Sequence, residues 1–169
     1  VIHSVCRRFR GRPFERIWNP ILDDALLRAR IGWSVGKLAP EFGPGRGMLA
    51  GFSGRSGLAM LLASGSLSEA QQALELLAVG APIAEVGLKI YRCDPLQVSA
   101  MALSASGCGR DAAFGTASYA APEARRTPGS ESQELWLAAF AACESLRLGN
   151  SANLPKRYWS VFKADSKLQ

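Results

Sequence analysis

The stretch from residue 47 to residue 64 constrains the fold of this chain most. It is the most apolar uninterrupted part of the sequence, and Arg55 is its only charged residue. A helix with so little polar surface is buried on nearly every side. Gly51, Gly54 and Gly57 remove side chains at three-residue steps, which costs about 1 kcal/mol each relative to alanine. We therefore expect a central helix that neighbouring backbones approach closely.

Length and composition are those of one domain of ordinary size. The chain has 169 residues, 48% of them hydrophobic, which is enough for a substantial core. We therefore expect a single domain over residues 1–169. No apolar run reaches the roughly 20 residues that span a membrane, and the apolar start of the chain is too short for a secretory signal. The sequence thus predicts a soluble, cytoplasmic protein without a membrane partner.

Cysteine and histidine usage gives no sign of a metal centre or a disulfide framework. Cys6, Cys93, Cys108 and Cys143 are widely separated and form no close pair, whereas zinc sites and disulfide-rich domains use short, regular spacings. We interpret them as buried thiols in a reducing compartment. His3 is the only histidine, so a His-rich metal site cannot be assembled and no cofactor is predicted.

The formal net charge of +6 is concentrated near the N-terminus, in Arg7, Arg8, Arg10, Arg12 and Arg16. Such a cluster can form a phosphate-binding footprint, which makes Arg7, Arg8 and Arg10 candidate anion-binding residues. The other interpretation is a solvated helix end and turn. Because no aromatic platform, zinc-finger spacing or recognition helix accompanies the arginines, we favour the solvated interpretation and do not expect nucleic acid as the main partner.

An amphipathic helix is predicted over residues 15–38. Its apolar residues recur at steps of three and four, and they are Trp18, Ile21, Leu22, Ala25, Leu26 and Ala29. Asp23, Asp24 and Arg28 fall on the other side, where we expect a solvated face. Adjacent aspartates point about 100° apart on a helix, which argues against a shared acid–base role. The breaker-rich segment 39–47 predicts a loop before the central helix.

Capping signals predict where two later helices begin. Ser66 with Glu69, and Ser130 with Gln133, have the spacing of a capping box. In this motif each of the two side chains accepts a hydrogen bond from a backbone N–H that the helix leaves unpaired. The first of these helices is predicted to end at Gly80, because glycine readily adopts the left-handed conformation that terminates helices.

The rest of the chain also predicts helices and loops. Asp94 and Pro95 form a capping pair, residues 111–121 predict a short helix, and residues 122–129 predict a loop. Residues 154–162 predict a terminal helix whose aromatic side chains dock on the domain or bind a partner. Since no stretch alternates apolar and polar residues over five or more positions with β-branched enrichment, no strands are expected. The predicted fold class is all-α, a compact bundle of about six to seven helices.

The central stretch carries a family resemblance. Residues 51–57, Gly-Phe-Ser-Gly-Arg-Ser-Gly, lie without a gap on the pattern Gly-Leu-Leu-His-Asp-Ile-Gly. The stretch resembles the signature helix of the HD superfamily, in particular the bacterial HD-related output domain (HDOD) family. Gly54 stands in place of His and Arg55 in place of Asp. In metal-dependent members this doublet holds the metal, so the resemblance implies the scaffold without its metal chemistry.

Two further segments are similar to the same family. Trp18 matches the Trp that opens a family helix, and Pro20 stands where a His follows it. Residues 80–87 reproduce the frame Gly-x-x-His-x-x-Val-Gly, with Ile83 in the histidine position. The resemblance therefore assigns four vestigial metal-site positions, which are Pro20, Gly54, Arg55 and Ile83.

The resemblance covers the HD-like half of a family domain, residues 1–121. Residues 130–169 are expected to form helices that dock on this half. The chain begins with Val1, and the resemblance implies that the earlier helical lobe of the family lies upstream or is missing. Further histidines of the family would fall near Ser104 and Ala105 and are absent.

Arg55 has two interpretations. A charge in an apolar helix must be paired or line a polar cavity, because leaving it buried and unpaired costs several kcal/mol. It forms an ion pair with a structural carboxylate such as Glu85 or Asp94, or it recognises an anion in the vestigial metal pocket, where a phosphate or carboxylate would bind it bidentately.

The resemblance implies a non-enzymatic regulatory module of bacterial signal transduction that acts through protein–protein interaction with members of its pathway. A hydrolase of the HD kind needs histidines and aspartates around a metal that activates water. The four replaced positions supply neither histidine nor aspartate, so we predict no enzyme activity and no catalytic residue. Two alternatives stay open: a sensor of a nucleotide or small anion in the vestigial pocket, and nucleic-acid binding through the N-terminal arginines.

Overall fold

The computed structural model describes residues 12–121, 129–147 and 149, with side chains from residue 19 onward. Its helices are α1 (Arg12–Leu38), α2 (Pro44–Ser64), α3 (Leu67–Ala78), α4 (Ile83–Val86), α5 (Pro95–Ala105), α6 (Arg110–Ala120) and α7 (Glu131–Arg147). A π-helical turn, Gly87–Tyr91, continues α4. No strand occurs in these ranges, which confirms the predicted all-α bundle. Within them, no helix combines the length and the hydrophobicity that crossing a membrane requires.

Helix α2 lies at the centre of the bundle, as predicted, and packs against α1, α5 and α7. A Cβ added to Gly51 would collide with the carbonyl oxygen of Arg28 in α1, and a Cβ added to Gly57 with that of Pro95 in α5. These two glycines therefore permit the close backbone approach that their spacing predicts. Gly54 differs, because the group packed over it is the guanidinium of Arg28 rather than a backbone.

Two apolar clusters share helix α2. The first includes Ala50 of α2 together with Phe42 and Trp136, whose rings meet edge to face with their centroids 5.1 Å apart. The second includes Leu58 of α2 and Val86, with residues of α1 and α3 around them. Since both clusters include α2, this helix fixes the position of each relative to the other.

Three of the predicted helix starts are confirmed in their hydrogen bonds. The N–H of Ser66 donates to Glu69 Oε2 at 2.6 Å, and the N–H of Glu69 donates to Ser66 Oγ at 3.2 Å. The reciprocal bonds between Ser130 and Gln133 are 3.0 and 3.3 Å long. Asp94 caps α5 by accepting from the N–H of Leu96, two residues later, at 2.8 Å.

The polar side predicted for α1 is wrong in two places. Arg28 is completely buried, at 0% exposure, and Asp24 is only partly exposed. Leu26, expected on the apolar face, is 47% exposed. The reason lies outside α1: Glu144 of α7 balances the charge of Arg28, and Gly54 of α2 leaves room for its guanidinium.

The loop predicted over residues 39–47 is shorter than expected. Helix α2 already begins at Pro44, one residue after Gly43, whose φ is +83°. Proline fits the first turn of a helix, where its missing N–H leaves no hydrogen bond unmade. The predicted loop over 122–129 falls almost wholly outside the described residues, and the terminal helix over 154–162 lies outside them entirely.

Candidate functional site

A cleft of about 840 Å³ is lined by residues from each of the helices α1 to α7. Much of its wall is apolar, formed by Ile21, Leu58, Leu74, Leu77, Ile83 and Leu96. Among the described residues, its charged lining consists of Asp24, Arg55, Glu144 and Arg147. A concave, mainly apolar wall with a few polar groups is the usual form of a small-molecule site. This cleft is therefore the candidate functional site.

The structure brings all four residues that the resemblance predicts as metal-site positions to this cleft. Pro20 lies on α1, Gly54 and Arg55 lie on α2, and Ile83 begins α4, and each lines the same cavity. The segments that carry them are far apart in sequence. Ser104, by contrast, is exposed at the end of α5 and does not line the cleft, and the same holds for its neighbour in the chain.

Arg55 is paired, but not with the carboxylates expected from the sequence. Its Nε donates to Asp24 Oδ2 at 2.5 Å, and its Nη1 lies 3.9 Å from Glu144 Oε2. The predicted partners are wrong, because Asp94 caps α5 and Glu85 is exposed on α4. The partners come instead from α1 and α7, the two helices that face Arg55 across the cleft wall.

Arg28 lies behind Arg55 and completes the charged side of the site. Its Nη1 pairs with Glu144, and its Nε donates to the carbonyl oxygen of Gly51 at 3.3 Å. The ring of Phe140 lies 5.6 Å from the guanidinium carbon, a distance at which the ring face attracts a cation. The periodicity of α1 placed Arg28 on the solvated side instead. The available signal was Asp24 one helical turn earlier, together with glycines in the facing helix.

Five residues form what we call the arginine–carboxylate cluster: Arg28, Arg55, Arg147, Asp24 and Glu144. Each carboxylate is shared, since Asp24 accepts from Arg55 and Arg147 on different oxygens, and Glu144 faces Arg28 and Arg55. Three guanidinium groups and two carboxylates leave a net charge of +1 (3 − 2). The cluster thus has more cations than it can neutralise by itself.

The pKa shifts follow this arrangement. Burial by itself would raise the pKa of Asp24, but hydrogen bonding to Arg147 and the charge of Arg55 outweigh it, so the pKa lies below its ordinary value. Burial, and then the nearby charge of Arg28, lower the pKa of Arg55 against the opposing effect of the two carboxylates. Arginine nevertheless keeps its proton at neutral pH. Asp24 is therefore held in its charged form beside a cationic wall.

A buried serine fixes α2 against α5. Ser99 Oγ donates to the carbonyl oxygen of Ser53 at 2.6 Å and accepts from the N–H of Gly57 at 2.8 Å. Ser56 Oγ also lies 3.2 Å from it. This hydroxyl acts as a bridge between helices, because each of its bonds goes to α2. No sequence motif marked Ser99 for this role.

The residues at the four predicted metal-site positions do not fit a metal ion. Pro20, Gly54 and Ile83 have no side-chain atom that could ligate one, and Arg55 brings a positive charge to the place that a cation would occupy. The carboxylate nearest to them, Asp24, already binds two arginines. In the part of the chain that the structure describes, no three His, Cys, Asp or Glu side chains are grouped so that they could hold a metal.

The other predicted site residues fall outside the cleft. Arg7, Arg8 and Arg10 lie outside the described residues, so their prediction as anion-binding residues stays a prediction. Cys93, Cys108 and Cys143 are free thiols, but the expected burial holds only for Cys143, because Cys93 and Cys108 are partly exposed. Cys6 lies outside the described residues.

Comparison with known proteins finds no match: no protein-family model fits the chain, and no curated protein and no solved structure is significantly similar to it. What can be inferred about function therefore comes from the residues of the cleft and from the motifs that converge on it.

Proposed function

We propose that this chain is a non-enzymatic regulatory module of bacterial signal transduction, built on a degenerate HD-type scaffold of the HDOD kind. It acts in the cytoplasm through protein–protein interaction. One observation supports the proposal above all: the four positions that the motifs assign to the metal site line one cleft, although they come from three separate helices. Convergence of this kind is expected if the motifs were matched correctly.

The chemistry of those positions supports the non-enzymatic part. An HD hydrolase uses a bound metal to lower the pKa of water, and the metal needs imidazole and carboxylate ligands. Here a guanidinium occupies the wall, and Asp24 forms a 2.5 Å ion pair with Arg55. A divalent cation would have to displace Arg55 and then remain beside its positive charge, which is unfavourable at such short range.

A phosphohydrolase assay tests the non-enzymatic part. Purified protein is incubated with phosphomonoesters, phosphodiesters and nucleotides in the presence of Mg²⁺, Mn²⁺, Fe²⁺ or Zn²⁺, and its metal content is measured by elemental analysis. We expect no turnover and no stoichiometric metal. Metal-dependent turnover that Asp24→Asn abolishes and Asp23→Asn leaves intact would overturn the proposal, because Asp23 is the exposed neighbour outside the cleft.

The interaction part is tested by photo-crosslinking in bacterial cells. A crosslinking residue is placed at exposed positions around the described surface, one at a time. We expect reproducible crosslinks from one contiguous face to the same signalling protein. Crosslinks that are scattered over the surface, or that go only to abundant unrelated proteins, would contradict a specific interaction module.

A sensor is the second candidate function, and the cleft itself favours it. A regulatory module can respond to a nucleotide or small anion that binds beside Arg55 and Arg147. A ligand that binds only the folded state raises the melting temperature of the protein. Thermal melts with nucleotides, cyclic dinucleotides and small anions test this candidate.

Nucleic-acid binding through Arg7, Arg8 and Arg10 stays a prediction, which a steep salt dependence of binding would support.

A further inference from the structure

We propose that the cleft binds a small organic acid with one anionic group and an apolar body. The anionic group pairs with Arg55 and Arg147, and the apolar body lies against the aliphatic wall. This inference rests on the sensor form of the proposed function and names its ligand class, which neither the motifs nor the composition indicate.

The size and wall of the cleft determine the body of the ligand. A volume of about 840 Å³ lies within the range of natural small-molecule pockets. The wall away from the charged cluster is aliphatic, with Leu58, Leu74, Leu77, Ile83 and Leu96. A sugar or a purine edge placed there would lose its hydrogen bonds to water without replacing them, which is costly. An aliphatic or aromatic hydrocarbon body loses nothing.

The position of two arginines determines where the anion binds. Arg55 donates from Nε to Oδ2 of Asp24, and Arg147 donates from Nε to Oδ1 of the same carboxylate. Both side chains line the cleft. One aspartate therefore holds the two guanidinium groups close together, and a second anion on the cleft side can bind both of them.

These arginines keep donors available for such a ligand. Of the N–H groups of Arg55, those on Nε and Nη1 have partners, and Nη2 bonds to none of the described residues. Arg147 bonds through Nε alone within the described part of the chain, and its side chain is 37% exposed. Guanidinium groups bind a carboxylate best through two parallel N–H donors, and the unused Nη groups meet that requirement.

The charge of the cluster limits the ligand to a monoanion. The arginine–carboxylate cluster has a net charge of +1, so one negative charge neutralises it. A ligand with two or three negative charges, such as a nucleotide, would place excess negative charge close to Asp24 and Glu144, where like charges repel. A neutral ligand would leave the excess positive charge uncompensated.

Calorimetric titration with matched probes tests the inference. The probes are octanoate, 3-phenylpropionate, the neutral analogue octanamide, acetate, AMP and cyclic di-GMP. We expect octanoate or 3-phenylpropionate to bind at least about ten-fold more tightly than octanamide, acetate or either nucleotide. Acetate tests whether the apolar body contributes, and octanamide tests whether the charge does.

Two pairs of variants locate the site. Ala78→Phe adds bulk at an exposed position that lines the cleft, whereas Ala105→Phe adds it at an exposed position elsewhere. Arg147→Gln removes a proposed ligand contact, whereas Arg30→Gln changes an exposed arginine outside the cleft. We expect Ala78→Phe and Arg147→Gln to weaken octanoate binding about ten-fold or more, and the two controls to leave it unchanged. Circular dichroism and thermal melts of each variant verify that it folds.

Each contrary outcome has a definite meaning. Equal binding of octanoate and octanamide, or binding that Ala78→Phe does not affect, overturns the inference. Tighter binding of AMP or cyclic di-GMP overturns the ligand class and leaves the sensor function standing. Failure of every probe overturns the inference and the sensor, while the phosphohydrolase assay and crosslinking still decide the non-enzymatic interaction module separately.

Discussion

A fully buried guanidinium is costly unless its charge and its N–H groups find partners. Arg28 has an ion pair to Glu144, a hydrogen bond of 3.3 Å to the carbonyl oxygen of Gly51 and the ring of Phe140 above it. Of the buried side-chain nitrogen and oxygen atoms of the arginine–carboxylate cluster, only Arg28 Nη2 lacks a hydrogen-bond partner among the described residues. This single side chain therefore connects α1, α2 and α7, and its loss should affect the stability of all three.

The substitution Arg28→Met should lower the free energy of unfolding by about 3 kcal/mol. It removes the ion-pair partner of Glu144, whose partly buried carboxylate then keeps a charge that is less well compensated. Urea denaturation at neutral pH measures the change. Glu144→Gln serves as the second single variant. If the two residues stabilise the fold as a pair, the double variant loses less than the sum of the single losses, and strictly additive losses would contradict the pair.

Gly54 is required by a side chain rather than by its backbone conformation. A methyl group there would collide with the guanidinium of Arg28, so Gly54→Ala should destabilise the protein by about 1–3 kcal/mol. Gly45→Ala on the same helix is the matched control, because an added Cβ at Gly45 meets nothing within 4 Å; it should be neutral or slightly stabilising. Equal effects of the two substitutions in chemical denaturation would refute the steric argument.

Helices α1, α2 and α7 are joined by shared carboxylates. Asp24 of α1 reaches Arg55 of α2 and Arg147 of α7, and Glu144 of α7 reaches Arg28 of α1. Because both carboxylates bridge different helices, the ionisation of one side chain influences the packing of three elements. The arrangement makes the contact between these helices sensitive to acid.

Asp24→Asn should weaken the acid dependence of stability. The lowered pKa means that the folded chain holds the charged carboxylate more firmly than the unfolded chain, whose carboxyl titrates near 3.8. The contribution of Asp24 is therefore complete above that pH and is lost as the pH falls through the lowered folded pKa.

Free energies of unfolding measured from about pH 7 to about pH 2.5 test this dependence. The difference between the unmodified protein and Asp24→Asn should shrink toward the acid end of the range. Asp23→Asn, at the exposed neighbouring position, should change the free energy of unfolding by less than about 0.5 kcal/mol at neutral pH. If the difference in the free energy of unfolding between the unmodified protein and Asp24→Asn stays constant with pH, the ion pairs of Asp24 add no stability.

At the scale of the whole molecule, α7 is as deeply buried as α2. All side chains from residue 135 to residue 143 are buried, so this helix contacts other parts of the bundle on every side. Cys143 closes that run, and burial, only partly offset by the charge of Arg28, raises the pKa of its thiol to about 12. Such a thiol reacts slowly with alkylating reagents, because the reagent cannot reach it and because little of it is in the reactive thiolate form.

Cys143 should therefore react with iodoacetamide only when the bundle unfolds. Labelling followed by peptide mass spectrometry should give a rate for Cys143 that rises with urea in step with global unfolding, as expected for the most protected part of a fold. Cys93, which is partly exposed, should be labelled faster in the native state. Rapid native labelling of Cys143 would mean that α7 detaches by local opening.

Local sequence determined the parts of this fold that depend on near neighbours. The capping boxes at Ser66 and Ser130 could be predicted because donor and acceptor lie three residues apart. The central position of α2 could be predicted because its apolar length and its glycines leave no other environment open to it. Pro20 and Ile83 were predicted to share a site from short motifs, and both line the cleft, while their role there stays a prediction.

Tertiary structure alone decided which charges meet. Helical periodicity put Arg28 and Asp24 on a solvated side, and the expected partner of Arg55 was the wrong carboxylate. These pairings depend on how α1, α2 and α7 approach one another, and a distant residue such as Glu144 leaves no periodic signal at the position it neutralises. A charge is buried or solvated according to what lies across the interface, because the cost of removing it from water is offset only by a partner in direct contact.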